Sequence, residues 1–149
     1  MNDRLMNGFV AGIIAGIVAT VADWLLIDIF RFGNLHFSDF AGYFMLGAPP
    51  GNTSEYLVSH AGSLLFLGIM GIIFNYLIGK GTKYLVFKAV LFSEAGWFFI
   101  YALALLFRVP YLARIPLNSA LENAAADLVY GLVLGYSLLW LQSRGKVKA

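Results

Sequence analysis

The sequence predicts an all-α fold, an integral membrane bundle of four transmembrane helices in an antiparallel up-down arrangement. Apolar residues make up 60% of the 149-residue chain and charged residues 12%. The mean hydropathy of +0.80 lies outside the range of soluble globular domains. Four apolar stretches, at residues 9–30, 56–79, 84–107 and 120–141, each reach the length of about 20 residues that spans a bilayer core.

The first span, residues 9–30, is too long for the apolar region of a signal peptide and has no convincing cleavage site, so we expect a retained helix. Gly8, Gly12, Gly16 and Thr20 recur every four residues and form a stripe of small side chains on one helical face. Such stripes let helix backbones approach closely in lipid. The stripe predicts tight packing within the chain or, as an alternative, an interface between copies.

The connection to the second span contains Phe37, Phe40 and Phe44, whose spacing puts three rings on one face of a short helix. That pattern predicts an interfacial helix on the outer leaflet or, alternatively, a lid over the bundle. Asn52–Glu55 then supplies helix-capping residues, so the second span begins close after them.

The turn Gly79–Lys83 is short, so the second span and the third span, residues 84–107, should form an antiparallel hairpin. Ser119 and Glu122 match the capping-box pattern and predict that the fourth span begins at about Ser119.

Basic residues are unevenly divided between the two alternating sets of connections. By the positive-inside rule, the richer set is cytoplasmic, so we expect both termini in the cytoplasm. The richer set holds Arg4, Lys80, Lys83, Lys88, Arg144, Lys146 and Lys148, and the poorer set holds Arg31, Arg108 and Arg114.

Val18–Thr20 in the glycine-striped first span, His60 near the start of the second, and Leu128–Gly135 in the fourth resemble a broad group of small bacterial multipass membrane proteins of uncharacterised activity. The resemblance covers most of the chain. It implies four helices in a bacterial cytoplasmic membrane, and it carries over no functional residue.

Ionisable side chains inside membrane spans are costly, so they usually face the bundle interior and find partners. Asp23, His60, Glu94 and Asp127 fall in the predicted outer halves of the four spans. Glu94, Tyr101 and Arg108 recur every seven residues and share one face of the third span. We expect these six residues to line one polar pocket that opens outward.

Such a pocket fits several chemistries. Crowded carboxyls in a low dielectric can hold or relay a proton or exchange it for a cation. His60, Glu94 and Asp127 are candidate metal ligands, because carboxylates and histidines on facing helices form such sites. A small polar ligand or lipid head group is a third occupant. The remaining alternative is structural: the polar groups bond to one another and hold the bundle in register.

The leading functional prediction is therefore a membrane protein that binds a proton, a cation or a small polar ligand in transport or sensing. Two alternatives stay open, a non-catalytic subunit of a larger membrane complex and a metal-dependent membrane enzyme. The bilayer is the expected partner, with a homo-oligomer or larger complex as a further one. The absence of cysteine excludes thiol chemistry and disulfides, and the short basic tail predicts no nucleic-acid partner.

Overall fold

A computed structural model describes residues 3–79, 83–110, 112 and 114–146. Residues 144–146 are described by their backbone alone. Within these ranges the chain is helical and contains no strand. Five α-helices follow one another. They are α1 (Arg4–Trp24), α2 (Phe37–Leu46), α3 (Thr53–Leu77), α4 (Leu85–Leu106) and α5 (Leu117–Lys146), and a π-helical turn, Leu25–Ile29, continues α1.

Four of the helical segments are long and apolar enough to cross a membrane, namely Arg4–Ile29, Thr53–Leu77, Leu85–Leu106 and Leu117–Ser143. Large apolar side chains point away from the bundle along all four. Leu57, Leu106 and Phe98, for example, are each at least two-thirds exposed. Exposing this much apolar surface to water would cost free energy. Lipid tails would cover the same surface without that cost.

Helix α1 lies at the centre of the bundle, packed against both α3 and α5, and α4 packs on the far side of α5. The contact between α1 and α3 is made by glycines. Gly8 lies against Gly71, and Gly12 lies against Leu67 and Gly68. A Cβ added at Gly12 would stand 2.5 Å from the Leu67 carbonyl oxygen and 2.9 Å from the Gly68 Cα atom. The predicted small-residue stripe therefore packs within the chain, at backbone contact.

Glycines also form the contact between α5 and α4. Gly131 lies against the backbone of Val90, and Gly135 lies against Val86. Because van der Waals contact is the main attraction between helices in lipid, these approaches determine which helices become neighbours.

At the end of the bundle opposite α2, the start of α1 is tied to the end of α3. The guanidinium of Arg4 donates to the carbonyl oxygens of Asn75 at 2.5 Å and Gly79 at 3.1 Å, and it lies over the ring of Tyr76. The Asn75 side chain donates in return to the Arg4 carbonyl at 2.7 Å. Arg4 thus satisfies carbonyls at the end of α3 that have no partner within that helix.

Each of the four long helices overlaps one of the four predicted apolar stretches. Asn52 caps α3 as expected, accepting a bond from the Glu55 N–H at 3.0 Å. Helix α5 begins at Leu117, two residues before the predicted start at about Ser119. Ser119 lies inside the helix, and its hydroxyl donates to the side chain of Asn34. Most of the predicted turn Gly79–Lys83 lies outside the described residues.

Replacing Gly12 with alanine should lower the free energy of unfolding by about 1–3 kcal/mol, because the added methyl would force α1 away from the α3 backbone. Unfolding in detergent micelles, followed by circular dichroism over a denaturant series, measures the change. Gly51→Ala is the matched control, since a Cβ there would meet only the flexible Glu55 carboxylate at 3.6 Å. Equal stability of the Gly12→Ala and wild-type proteins would contradict the close-packing account.

Candidate functional site

A histidine in the connection between α1 and α2 lies at the centre of a polar cluster. The Nδ1 atom of His36 is 2.8 Å from Oδ2 of Asp23, which is buried near the end of α1. The other ring nitrogen, Nε2, faces Oδ2 of Asp28 in the π-helical turn at 3.7 Å. His36 therefore bridges two carboxylates that are five residues apart on the same helical segment.

A third carboxylate approaches His36 from α2. The His36 backbone N–H donates to Asp39 at 2.9 Å, and this bond caps the start of α2. The backbone N–H of Phe37 also points at Asp23 with a separation of 3.4 Å. The start of α2 is thus bonded to Asp23 of α1 through the His36 ring and the Phe37 backbone N–H.

The same connection is bonded to the start of α5. Ser119 exchanges hydrogen bonds with Asn34, donating to its side chain and accepting from its backbone N–H at 3.1 Å. The amide of Asn123 donates to the Leu35 carbonyl at 3.0 Å. These bonds hold the segment before His36 against α5, so the position of the imidazole is set from two helices.

Glu122 is a fourth carboxyl group at this end of the bundle and is completely buried. Its Oε2 accepts a hydrogen bond from Asn123 at 2.9 Å, while its Oε1 has no partner among the described residues. The carboxyl adjoins that of Asp23. Gly33 packs against the Glu122 side chain. It has a positive φ of 104°, and a Cβ there would stand 3.1 Å from Glu122.

A cavity of about 190 Å³ lies beside the cluster, between α1, the α2 connection and α3. Asp23, Asp28 and His36 contribute to its wall, and His60 of α3 lies opposite them. The His60 side chain is exposed and its Nδ1 faces the Tyr56 carbonyl oxygen at 2.9 Å. The cavity is therefore acidic on one side and lined by two imidazoles.

The surroundings shift the ionisation of the groups outside the membrane-length helices. The hydrogen bond to Asp23 raises the pKa of His36, partial burial opposes the shift, and the charges of the nearby carboxylates add to it. Burial raises the pKa of Asp39, which the His36 N–H partly offsets. Protonated His36 is thus the favoured counter-charge for the carboxylates around it.

Four of the six predicted pocket residues line two separate cavities. Asp23 and His60 line the small cavity, whereas Asp127 and Tyr101 line a larger one between α3 and α4. The Glu94 carboxyl lies near that of Asp127 on the neighbouring helix. The expectation of one shared pocket is therefore wrong.

Arg108 is exposed after the end of α4 and lines neither cavity. Helix α4 ends at Leu106, Phe107 is its C-terminal capping residue, and Arg108 itself has a positive φ of 48°. The chain turns there, so Arg108 leaves the helical face that it was expected to share with Glu94.

His60, Glu94 and Asp127, the predicted metal ligands, do not converge. Among the described parts of the chain, no group of three or more histidine, aspartate or glutamate side chains is arranged to hold a metal ion.

His36 is the functional candidate that the sequence reasoning missed. It lies in a connection rather than in a span, so helical periodicity carries no information about it. One local signal existed: Asp39 stands three residues after His36, the spacing at which a side chain caps the backbone N–H at a helix start.

Comparison with known proteins found no matching family model, curated protein or solved structure. The assignment of a function therefore depends on the geometry of these two cavities.

The imidazole of His36 should titrate above the range of an unpaired histidine, about 6.5, because protonation strengthens its bond to Asp23. Nitrogen NMR of histidine-labelled protein in micelles measures this, and the chain has only two histidines. His36→Gln assigns the signal, and Asp23→Asn should move it to lower pH. His60→Gln is the control and should leave it in place. Titration of His36 at or below 6.5 would contradict the pairing.

Proposed function

We propose that the chain is a multipass protein of the bacterial cytoplasmic membrane, with four antiparallel transmembrane helices and both termini in the cytoplasm. The exposed apolar side chains of the four long helices support a lipid environment. The contacts support the antiparallel arrangement, since Gly8 at the start of α1 meets Gly71 near the end of α3, and Ser93 of α4 meets Asp127 of α5. The distribution of lysine and arginine supports the orientation.

In this orientation α2 lies on the outer side. Its Phe37, Phe40 and Phe44 all contribute to the wall of the larger cavity, and α2 packs against α3. This supports the lid interpretation of α2 rather than a helix that only rests on the membrane surface.

We further propose that the protein senses protons on the outer side, with His36 as the proton-binding group and α2 as the element that responds. One observation carries the proposal, the 2.8 Å contact that joins His36, at the start of α2, to the buried Asp23 of α1. The contact is strongest when the imidazole is charged, and it lies in the segment that positions the lid.

The groups around His36 set the direction of the response. Asp23 and Asp28 face it from α1 and the π-helical turn, Asp39 from α2, and Glu122 from α5, while His60 of α3 lies across the small cavity. Deprotonated His36 is neutral and has a single ring N–H, so it can donate at most one hydrogen bond, to Asp23. The carboxylates then lose their counter-charge and repel one another, which loosens the attachment of α2.

The sign follows from linkage. Because pairing raises the pKa of His36 above its value in a free chain, the stabilisation of the docked α2 is complete below about pH 6.5 and is lost as the pH rises through the raised value. Burial also raises the pKa of Asp39, so a further, smaller gain is expected at more acidic pH as that carboxyl is neutralised.

Sensing has more support than transport. The inner half of the bundle, between the cluster and the Arg4 end, is packed with apolar side chains such as Ala11, Phe74 and Leu134. Across the described residues, neither cavity continues through that layer. A proton that reaches His36 thus has no evident polar route to the other side.

The two alternatives drawn from the sequence have weaker support. The glycine faces of α1, α3 and α5 are occupied by contacts within the chain, so a subunit role would need other surfaces. A metal-dependent enzyme would need a ligand group that the described side chains do not form.

Amide hydrogen exchange in residues 36–46 should be slow at pH 6 and faster, after correction for intrinsic exchange rates, at pH 8. In His36→Gln protein the exchange should be fast at both values, because the imidazole that links α2 to Asp23 is missing. Exchange–mass spectrometry in nanodiscs measures this, and His60→Gln is the control, expected to behave as the wild type.

The same corrected protection of α2 at both pH values in the wild type would overturn the sensing proposal. Asp28→Asn gives a graded test, since Asp28 is half exposed and 3.7 Å from the ring, so its loss should move the transition less than Asp23→Asn does.

A further inference from the structure

The larger cavity, of about 400 Å³, lies between α3 and α4 beneath α2. Helices α3 and α4 also contact each other where the rings of Phe74 and Phe92 lie 5.2 Å apart. The volume is that of sites for drug-sized molecules. Apolar side chains line much of the wall, among them Phe37 and Phe44 of α2 and Phe66 and Met70 of α3.

One acidic side chain faces this apolar space. Asp127 of α5 contributes to the wall, and the Glu94 carboxyl lies near it on α4. Ser93 donates to the Asp127 backbone oxygen at 2.6 Å and reaches its carboxylate only at 3.5 Å. Both ion pairs in the described residues involve His36, so no lysine, arginine or histidine there neutralises Asp127 or Glu94. A proton or a bound cation can therefore complement the carboxyl group of Asp127.

Aromatic rings line the same cavity as Asp127. Phe40 stacks on Tyr101 with ring centroids 5.5 Å apart, and Trp97 lies 5.0 Å from Tyr101. All three contribute to the cavity wall. Aromatic faces beside a carboxylate are a favourable environment for an ammonium group, which gains cation–π attraction in addition to the ion pair.

Two polar atoms of this wall are buried and unsatisfied. The indole N–H of Trp97 and the hydroxyl of Tyr101 have no hydrogen-bond partner in the described part of the chain. A buried polar group without a partner costs free energy that a bound molecule can recover. The Tyr101 oxygen can accept a bond from an ammonium N–H, and the Asp127 carboxylate can accept another.

We propose that this cavity binds a lipophilic amine in its protonated form, with the ammonium between Asp127 and Tyr101 and the apolar part among the rings of α2 and α3. The site shares neither His36 nor Asp23 with the proton-sensing cluster, so it goes beyond the function proposed above. Entry from the bilayer suits such a molecule, because it partitions into lipid and the cavity lies between two membrane-length helices.

The test uses three probes that differ in one group: 3,3-diphenylpropylamine, the alcohol 3,3-diphenylpropan-1-ol and the hydrocarbon 1,1-diphenylbutane. Binding to purified protein in nanodiscs is measured by equilibrium dialysis at pH 6, with empty nanodiscs subtracted. The amine should bind saturably and about tenfold or more tighter than the alcohol, as expected for a charge-assisted pair.

Asp127→Asn should weaken amine binding about tenfold and leave alcohol binding unchanged. Tyr101→Phe should reduce amine binding by a smaller factor, and it keeps the test decisive if Asp127→Asn does not fold. Gly96→Leu should block both the amine and the alcohol. Gly96 borders the cavity, and a Cβ there would meet only the flexible end of Met70 at 3.2 Å. Glu55→Gln, an acidic residue outside the cavity, is the matched control.

Equal affinities for the amine and the alcohol in the wild type would overturn the proposal and assign the cavity to apolar chains alone. Absence of saturable amine binding, or amine binding that survives both Asp127→Asn and Gly96→Leu, would also overturn it. The pH response of α2 should persist in Asp127→Asn protein, so the failure of one site is distinguishable from the failure of the other.

Discussion

The contact between His36 and Asp23 is the interaction on which the arrangement of the α2 end of the molecule depends. It joins the start of α2 to the end of α1. On the other side, the Asn34 N–H donates to Ser119 of α5, and Asn123 of α5 donates to the Leu35 carbonyl. These fastenings place α2 above the gap between α3 and α4. The small acidic cavity and the larger aromatic cavity therefore exist in their observed form because one short connection is fixed at both of its sides.

The packing of the long helices supplies the complementary constraint. Glycines bring α1 and α3 to backbone contact, and glycines of α5 do the same with α4. Helices α3 and α4 contact each other at the rings of Phe74 and Phe92, and a cavity lined also by α2 lies between them. A gap of this kind in a bilayer is filled by lipid or by a ligand, and the carboxyl of Asp127 favours a ligand of positive charge.

The two cavities differ in the source of the positive charge that can balance their carboxyl groups. Near α2, one imidazole can supply a positive charge to Asp23 and its neighbours when it is protonated. Beside Asp127 and Glu94, the described chain offers no such group, so a counter-charge has to come from a proton or a bound cation. The first arrangement suits a response to pH, and the second suits recognition of a ligand.

The sequence alone was sufficient for the four long helices, because length and hydropathy determine them. It also identified the glycine face of α1, because a four-residue repeat places small side chains on one side, but not whether that face packs within the chain or between copies. It also found Asp23, Asp127 and Tyr101 as wall residues, since polar groups inside apolar spans are easily recognised. It failed where the tertiary structure offered competing partners. Ser119 matched a capping pattern but bonds to Asn34, 85 positions away in the chain.

The contacts of His36 also could not be predicted from the sequence. A connection has no periodicity, so its side chains can be assigned only when the helices on both sides are in place. The expectation of a single pocket failed for a related reason: phase along a helix gives the face of a residue but not which of two neighbouring gaps that face lines. Asp23 and Asp127 lie on packed faces, yet they border different spaces.

The most direct test of the central claim is the distance between α2 and α4 as a function of pH. The chain has no cysteine, so Leu46→Cys and Leu106→Cys introduce a single pair of spin labels at exposed positions for pulsed electron paramagnetic resonance in nanodiscs. A narrow distribution at pH 6 that lengthens and broadens at pH 8, and that is already long and broad at both values in His36→Gln protein, is the result predicted here. A distribution that is the same at both pH values with His36 present would contradict the account.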